Sequence, residues 1–505
     1  MNLFEKIISA ISPQWAFRRN QYRSAMAAYE ASKKSRLRKA KPDNSSGDSL
    51  TQVSGDALRG YARTLEQNYD LASGVLDVLI NNTVGPNGVS MEPMPRNKDG
   101  SINVDVKNQL IKLHKQWSKK PDVTGEHNWA NIERLSCRSW FRDGEILIQK
   151  LLGSISGLKH SSIVPFSIEL IESDHLPIDY TDNSKLITQG VERNAWGKPV
   201  AYHLYKKHPG DCDYFFEIET KRVPADKILH PKQVKRVRQA RGVTIFASVM
   251  IRLEDIKDYE ESERVAARIS AALAAYIKKG TPDLYQAPED PNTERHFAIK
   301  PGIVFDNLQE GEEVGTIQSN RPSTLLEPFR NAMLKAVSSG TGANYSTMSK
   351  DYDGSYSSQR QELVEGWTNY RALTNLFIGQ VSQPVWEAFV EAAIASKVLV
   401  LPAELDIETI KDADYRGPVM PWIDPDKEIK AKERSAQATF KSPPQIIREN
   451  GDNPDDVLDQ LADWKQKLDD RGLTSSVFET PEAPDNTGAS SLDEEENEDA
   501  KTVSD

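Results

Sequence analysis

Between Ile256 and Tyr276 apolar residues return every three or four positions, through Tyr259, Val265, Ile269 and Leu273, and much of the remaining surface is alanine. Acids fill the first turns, Lys278 and Lys279 the last, and Gly280 follows. The pattern predicts one long helix over 256–280 with its dipole compensated at both ends. Ala266, Ala267, Ala271, Ala272, Ala274 and Ala275 put small side chains on more than one face. Neighbouring helices can then approach closely, whether they belong to the same chain or to further copies of it. Taken alone, the segment also fits an ordinary core helix of a large domain. A second helix is predicted over 324–340. It opens with the capping box Thr324-Leu-Leu-Glu327, accepts Pro328 in its first turn, sets Phe329, Met333, Ala336 and Val337 on one side, and stops at Gly340.

At 505 residues the chain exceeds a single core, and roughly 150 residues per domain suggests three or four modules. No apolar run approaches the ~20 residues that span a bilayer. Glu5, Lys6 and Pro13 interrupt the N-terminal apolar stretch, so no secretory signal is expected and the protein should stay in the cytosol of the cell that makes it. Cys137 and Cys212 are too few for a disulfide framework or a thiolate zinc site and read as small buried apolar residues. The net charge of −11 argues against tight nucleic-acid binding, which depends on Lys and Arg neutralising phosphates. It remains compatible with a protein past which DNA slides without sticking.

Composition changes sharply at both ends. Residues 14–41 carry nine Lys and Arg against Glu30, a basic arm leading into a loop-like 42–49. Beyond about 476 acids accumulate and apolar residues thin out, which predicts a disordered tail. Between these ends, 57–81 has helical spacing, and 146–152, 163–171 and 199–205 are rich in strand formers. Five prolines and the short runs 297–299 and 302–305 suggest a small module of strands over 281–322. The polar, Gly- and Ser-rich stretch 341–357 is too long for an ordinary connection. A long helix is then predicted from the box Ser358–Gln361, kinked or interrupted at Pro384, and another over 453–472 with Val457, Leu461, Trp464 and Leu468 on its apolar face.

Catalytic signatures are missing from the sequence. Gly153-Ser-Ile-Ser-Gly157-Leu-Lys159 has the wrong spacing for a P-loop, and there is no Gly-x-Ser-x-Gly elbow and no His-Glu-x-x-His helix. Glu172, Asp174 and His175 at a strand end, and His203, His208, Asp211 and Cys212 nearby, carry metal-ligating side chains. They read better as a polar turn and a surface loop. Asp143-Gly144-Glu145 reads as a hairpin turn rather than a catalytic acid.

An ordered series of short segments resembles the lambda-type portal proteins of tailed bacteriophages. It starts with Leu58-Arg59-Gly60-Tyr61-Ala62-Arg63, Asn82-Thr83-Val84-Gly85, Trp117 with Pro121–Gly125, Arg138-Ser139-Trp140, Asp143-Gly144-Glu145 and Ile171–Pro177. It continues with Gly190-Val191-Glu192, Trp196–Tyr202, Val223-Pro224-Ala225 with His230, Gln239–Val243, Tyr356–Arg360 and Trp422–Pro425 with Lys427-Glu428. Each segment alone is weak, and the order makes the series specific over about 50–470. Glu66-Gln67-Asn68 departs from the Arg-Asn-Asn expected there, on a helix surface.

The resemblance implies an α+β ring subunit and a homo-oligomeric ring, a dodecamer, at one capsid vertex. Double-stranded DNA would be pumped in through it by a separate terminase and would later leave. Further implied partners are the major capsid or scaffolding protein and head-completion (adaptor) proteins, with no membrane, cofactor, metal or catalytic residue. By the same resemblance, 1–50 is the arm, 51–250 the first part of a mixed α/β wing, 251–280 and 323–340 a two-helix stem, and 281–322 a small clip containing strands. The tunnel loop is then 341–357, the long kinked helix and second part of the wing 358–432, a helical crown 433–475, and the acidic tail 476–505. The residues implied to face DNA are Asn344, Tyr345, Ser346, Lys350, Asp351, Tyr352, Ser355 and Tyr356. The implied stem residues are Ala267, Ala271, Ala274, Lys278, Lys279, Arg330 and Lys335. Rival readings are a metal-dependent DNA-processing enzyme using Glu172, Asp174 and His175, and a cytosolic helical scaffold with no DNA role.

Overall fold

Ser46 opens the first helix by accepting the Ser49 N–H on its Oγ, at 3.1 Å. The computed structural model describes residues 44–211, 219–271, 275–279, 312–316, 326–419 and 425–475. Expectations for the basic arm up to 43, Cys212, Ala274, Thr324, the runs 297–299 and 302–305, and the acidic tail fall outside these residues. Helix α1 (Gly47–Asn68) and helix α2 (Asp70–Thr83) split the helical period that spans 57–81, because Tyr69 between them is extended at φ −140. Strand β1 (Ser90–Pro93) and helices α3 (Val104–Trp117) and α4 (Trp129–Arg142) follow; Asn103 and Asn128 cap the two helices by accepting backbone N–H groups.

Asp143 ends α4 and Gly144 takes φ +85, so Asp-Gly-Glu is a helix stop rather than the expected hairpin turn. A Cβ at Gly144 would lie 2.4 Å from the carbonyl carbon of Val243, so glycine is required twice over. Strand β2 (Leu147–Leu152) pairs antiparallel with β3 (Phe166–Ile171). A second antiparallel sheet runs in order β4 (Ile187–Thr188), β5 (Val191–Arg193), β6 (Pro199–Tyr205) and β7 (Thr220–Pro224), and β8 (Ile228–Leu229) returns to the free side of β2.

Helix α5 (Met250–Ala271) occupies the first part of the segment expected to be helical to 280. The last part is instead strand β9 (Ala275–Lys279), antiparallel to β10 (Glu312–Thr316). The register explains the change. Ile277 stands opposite Val314, Lys278 opposite Glu313 and Lys279 opposite Glu312, so pairing with a remote strand overrides the local helical preference. Ala271 is thus the last helical residue, and Lys278 and Lys279 belong to a strand.

Helix α6 (Leu326–Thr341) packs on α5 through Tyr259 and Phe329, whose ring centroids are 5.0 Å apart. Gly340 permits the close approach, since a Cβ there would sit 2.4 Å from Val249 Cγ1. A short helix α7 (Tyr345–Ser349) precedes the long α8 (Tyr356–Phe377), which starts two residues before the expected Ser358 because Ser355 caps it. The expected interruption near Pro384 is a π-helical turn, Ile378–Ser382, leading into α9 (Gln383–Ala395) with Pro384 in its first turn. Strand β11 (Ala413–Arg416) pairs with β1, and α10 (Pro425–Gln437), α11 (Pro443–Glu449) and α12 (Pro454–Asp469) end the described chain.

The main core joins α2, α3, α4, α8 and α9 around Trp117, Trp140, Phe141, Phe377 and Phe389, all fully buried. Trp117 stacks on Phe166 at 5.4 Å and donates its indole N–H to the Phe166 carbonyl at 2.9 Å, which fixes α3 against β3. A smaller cluster, including Leu147, Ile171, Tyr202 and Leu204, lies between the two sheets. Near the C-terminus Glu92 on β1 receives Lys107 at 3.0 Å, Arg448 at 3.4 Å and Arg416, and Lys107 also meets Asp455. Helices α11 and α12 are held to the body by charge more than by apolar contact: of the face expected on α12, Leu468 is buried while Leu461 and Trp464 stay exposed. No described helix is long and apolar enough to cross a membrane.

Candidate functional site

Residues 342–355 join α6 to α8 and divide into an anchored base and an exposed tip. In the base, Ala343, Asn344 and Met348 are buried. The Asn344 N–H donates to the Tyr370 hydroxyl at 3.0 Å, its Nδ2 reaches the Glu362 carbonyl at 3.4 Å, and the Ser346 N–H donates to Glu362 Oε1 at 3.0 Å. All these acceptors lie on α8. Gly366 makes the fit possible, because a Cβ there would collide with Asn344 Oδ1 at 1.9 Å. The stretch expected to be wholly loop therefore contains a helical turn whose first residues face inward. Buried Asn344 cannot offer the surface contact expected of it, and Tyr345 and Ser346 are half-buried.

Lys350, in the left-handed conformation at φ +58, ends α7 and turns the chain outward. Lys350, Tyr352, Asp353, Gly354, Ser355 and Tyr356 are exposed, with Tyr352 and Tyr356 both more than half accessible. Asp351 accepts the Tyr345 hydroxyl at 2.8 Å, a bond that lowers its carboxyl below the usual range and ties tip to base. Lys335 of α6 stands over the Tyr345 ring at 5.3 Å, a cation–π contact. Of the other residues expected beside them, Arg330 bonds Glu260 of α5 at 2.6 Å and Ala267 is half-buried on α5.

The candidate metal ligands regroup. Glu172, Asp174 and His208 have ligand atoms within 4.8 Å of one another, drawn from both clusters visible in the sequence. His175 instead meets the Tyr205 carbonyl through Nδ1 at 3.0 Å, and His203 lies 3.3 Å from Glu192, which also holds Arg222. Asp174 is gripped by Arg63 at 2.5 Å and Arg59 at 3.5 Å; burial would raise its carboxyl, and the two guanidiniums hold it low. Two fixed cations beside the central ligand oppose a divalent ion, so the cluster fits a structural ion-pair network.

That network continues inward to a centre that reads in the sequence as a turn. Glu145, 1% exposed, meets Arg241 at 2.6 Å, His230 Nε2 at 3.0 Å and the Gly242 N–H at 2.7 Å. Burial would raise its carboxyl, and Arg241, His230 and Arg59 outweigh burial to hold it well below the usual range. Burial takes His230 down to about 4, so it is neutral near pH 7. Asp143 binds Arg63 at 3.0 Å and Arg142 at 2.8 Å. The cluster pins the 239–244 loop to the junction of α1, α4 and β2.

Comparison with known proteins decides what this framework is. The family model described as phage portal protein, lambda family, matches residues 33–373. The chain belongs to the lambda family of phage portal proteins. A probable portal protein of Halomonas phage phiHAP-1 is 25% identical over 423 residues, covering 81% of this chain and 80% of that protein. Portal protein B of Escherichia phage lambda is 20% identical over 310 residues, covering 55% and 58%. Among solved structures, a chain from the neck of the native gene transfer agent particle, computed with C12 symmetry, aligns with TM-score 0.48 at 13% identity, covering 78% of this chain and 94% of that one. A chain from the virion of the native gene transfer agent aligns with TM-score 0.46 at 12% identity, covering 81% and 99%.

The protein is accordingly a phage portal: a homo-oligomeric ring of the virion, forming the passage at one capsid vertex through which the genome is packaged and ejected. The family is structural rather than enzymatic, and its role in genome passage replaces the reading of a scaffold without a DNA role. Its Asp143-Gly144-Glu145 and Gln239-Ala240-Arg241-Gly242 segments, distant in sequence, meet at Glu145 and Arg241. Only a pairing between remote positions reveals that contact, and periodicity carries no trace of it.

Proposed function

We propose that this portal is a dodecamer whose 341–357 segment is the element that meets DNA in the channel. Its exposed tip, Lys350–Tyr356, on a base bolted to α8 is the observation that carries the reading. One cation, two carboxylates and two exposed tyrosines give the tip polar and aromatic surface without a basic clamp, which suits a conduit that must not bind phosphate tightly. Under this reading α5 and α6 form the stem, with Ala267, Ala271, Arg330 and Lys335, while Ala274 lies outside the described residues. Lys278 and Lys279 move to a small strand module with 312–316, at the clip. Residues 51–250 and 358–432 form the wing and 433–475 the crown. The packaging ATPase is a separate terminase, and the clip receives terminase first and head-completion proteins later. The ring meets the major capsid or scaffolding protein during assembly in the host cytoplasm. The subunit itself turns over neither ATP nor DNA, a reading supported by the absence of a P-loop and by the cations around Asp174.

The test follows the division into base and tip. Replacing only 350–354 with Gly and Ser spares Asn344, Met348 and their anchors. Rings are expected to form at wild-type yield and enter procapsids, while encapsidated DNA falls. Normal DNA content in such particles would remove the tip from the DNA path.

A further inference from the structure

Two helices carry opposite unpaired charge on exposed faces. On α5, Ile251, Glu254, Asp255, Asp258, Glu261, Ser262 and Val265 recur at three- and four-residue spacing and are all exposed, so they form one stripe along the helix. Among the described residues none of its four carboxylates has an ion-pair partner. The cations of α5 itself, Arg252, Lys257, Arg264 and Arg268, stand to either side. Ile251 is 76% and Val265 43% exposed, so apolar surface lies at both ends of the acidic run. On α8, Arg360, Val364, Thr368, Arg371 and Asn375 form a second exposed stripe. Arg360 and Arg371 are likewise without an ion-pair partner among the described residues, and Val364 is 45% exposed between them. The acids Glu362 and Glu365 do not neutralise this stripe centrally, since Glu362 turns to the Ser346 N–H and Glu365 lies at the margin.

We infer that these stripes are the two halves of one interface between neighbouring copies, the acidic face of α5 on one subunit seating against the Arg360–Arg371 face of α8 on the next. The inference rests on the ring reading. A closed ring uses a heterologous contact, in which two different surfaces of the same chain must complement each other. Helical rise puts the acidic stripe, from Ile251 to Val265, at ~21 Å and Arg360 to Arg371 at ~16 Å, so the two faces match in length. The apolar residues decide between a neighbour and water. A stripe lining an aqueous passage gains nothing from Ile251 and Val265, whereas a helix laid across it covers them. A single exposed ion pair contributes little. Two arginines set against four carboxylates, removed from water together and repeated at each junction, set partner and register, which is what ring closure needs.

The test is charge reversal followed by charge exchange in the full-length chain, read by native mass spectrometry with the thermal melt as a fold control. Arg360→Glu with Arg371→Glu is expected to lower the fraction of chains in rings by roughly tenfold or more, at an unchanged melt of the subunit. Adding Asp258→Arg and Glu261→Arg to that variant is expected to restore rings. Independently of charge, Asp258→Cys with Thr368→Cys is expected to give an oxidation-dependent ladder of covalent oligomers. Rings that survive the reversal, a reversal that the exchange does not repair, or no ladder each overturn the pairing. So do intact rings with altered DNA passage on reversing Asp258 and Glu261 alone, which would put α5 against DNA. A wild-type chain that never closes a ring overturns the portal assembly as well, and that outcome is visible before any variant is made.

Discussion

Glu145 and Glu133 are both buried carboxyls, and their neighbours send them in opposite directions. Glu145 sits among Arg241, Arg59 and His230 and stays ionised. Glu133 meets the Ser382 hydroxyl at 2.6 Å and the Val89 N–H at 2.8 Å, with no ion pair among the described residues, and burial pushes it up to about 8. It is therefore largely protonated near neutrality while tying α4 to the π-helical turn before α9. A carboxyl raised by folding holds its proton in the native state after the unfolded chain has lost it. Its stabilising effect is complete below the unfolded value near 4.5 and is lost as pH rises through about 8. A tenfold change in proton affinity is worth about 1.4 kcal/mol, so that window holds on the order of 5 kcal/mol. Glu133→Gln, which keeps a donor and an acceptor, is expected to flatten this dependence and to gain on the wild type between pH 5 and pH 9 in urea unfolding. Parallel pH profiles for the two proteins would show that Glu133 titrates normally.

Elements are legible in the sequence where the signal is local. Strands 147–152, 166–171 and 199–205 follow runs rich in apolar strand formers, and the break near Pro384 sits where the missing N–H requires one. Sequence and structure part where a remote partner decides. The run 275–279 looks helical until 312–316 supplies the facing strand, and Asp143-Gly144-Glu145 looks like a hairpin until Arg241 arrives from nearly a hundred residues away. The glycines and serines of 341–357 read as loop throughout, although Tyr370, Glu362 and Gly366 on α8 order its first half. Gly366→Ala tests that ordering, since the added methyl must displace Asn344. Overpacking of this kind costs about 1–3 kcal/mol. The variant is expected to keep α8 while exposing 342–349 to faster amide exchange, and unchanged protection there would mean that the base does not depend on α8.

The described chain exposes more than a lone molecule would favour: an acidic stripe on α5, a basic one on α8, and Leu461 and Trp464 on α12. A ring accounts for such surfaces together, because each subunit lends both sides to its neighbours. This level of organisation is reachable from sequence only through resemblance, since no local pattern encodes subunit number. Native mass spectrometry of the purified full-length protein addresses it directly. The account predicts one dominant species, a closed ring of dodecameric mass that persists on dilution. A monodisperse monomer across the whole concentration range would contradict it.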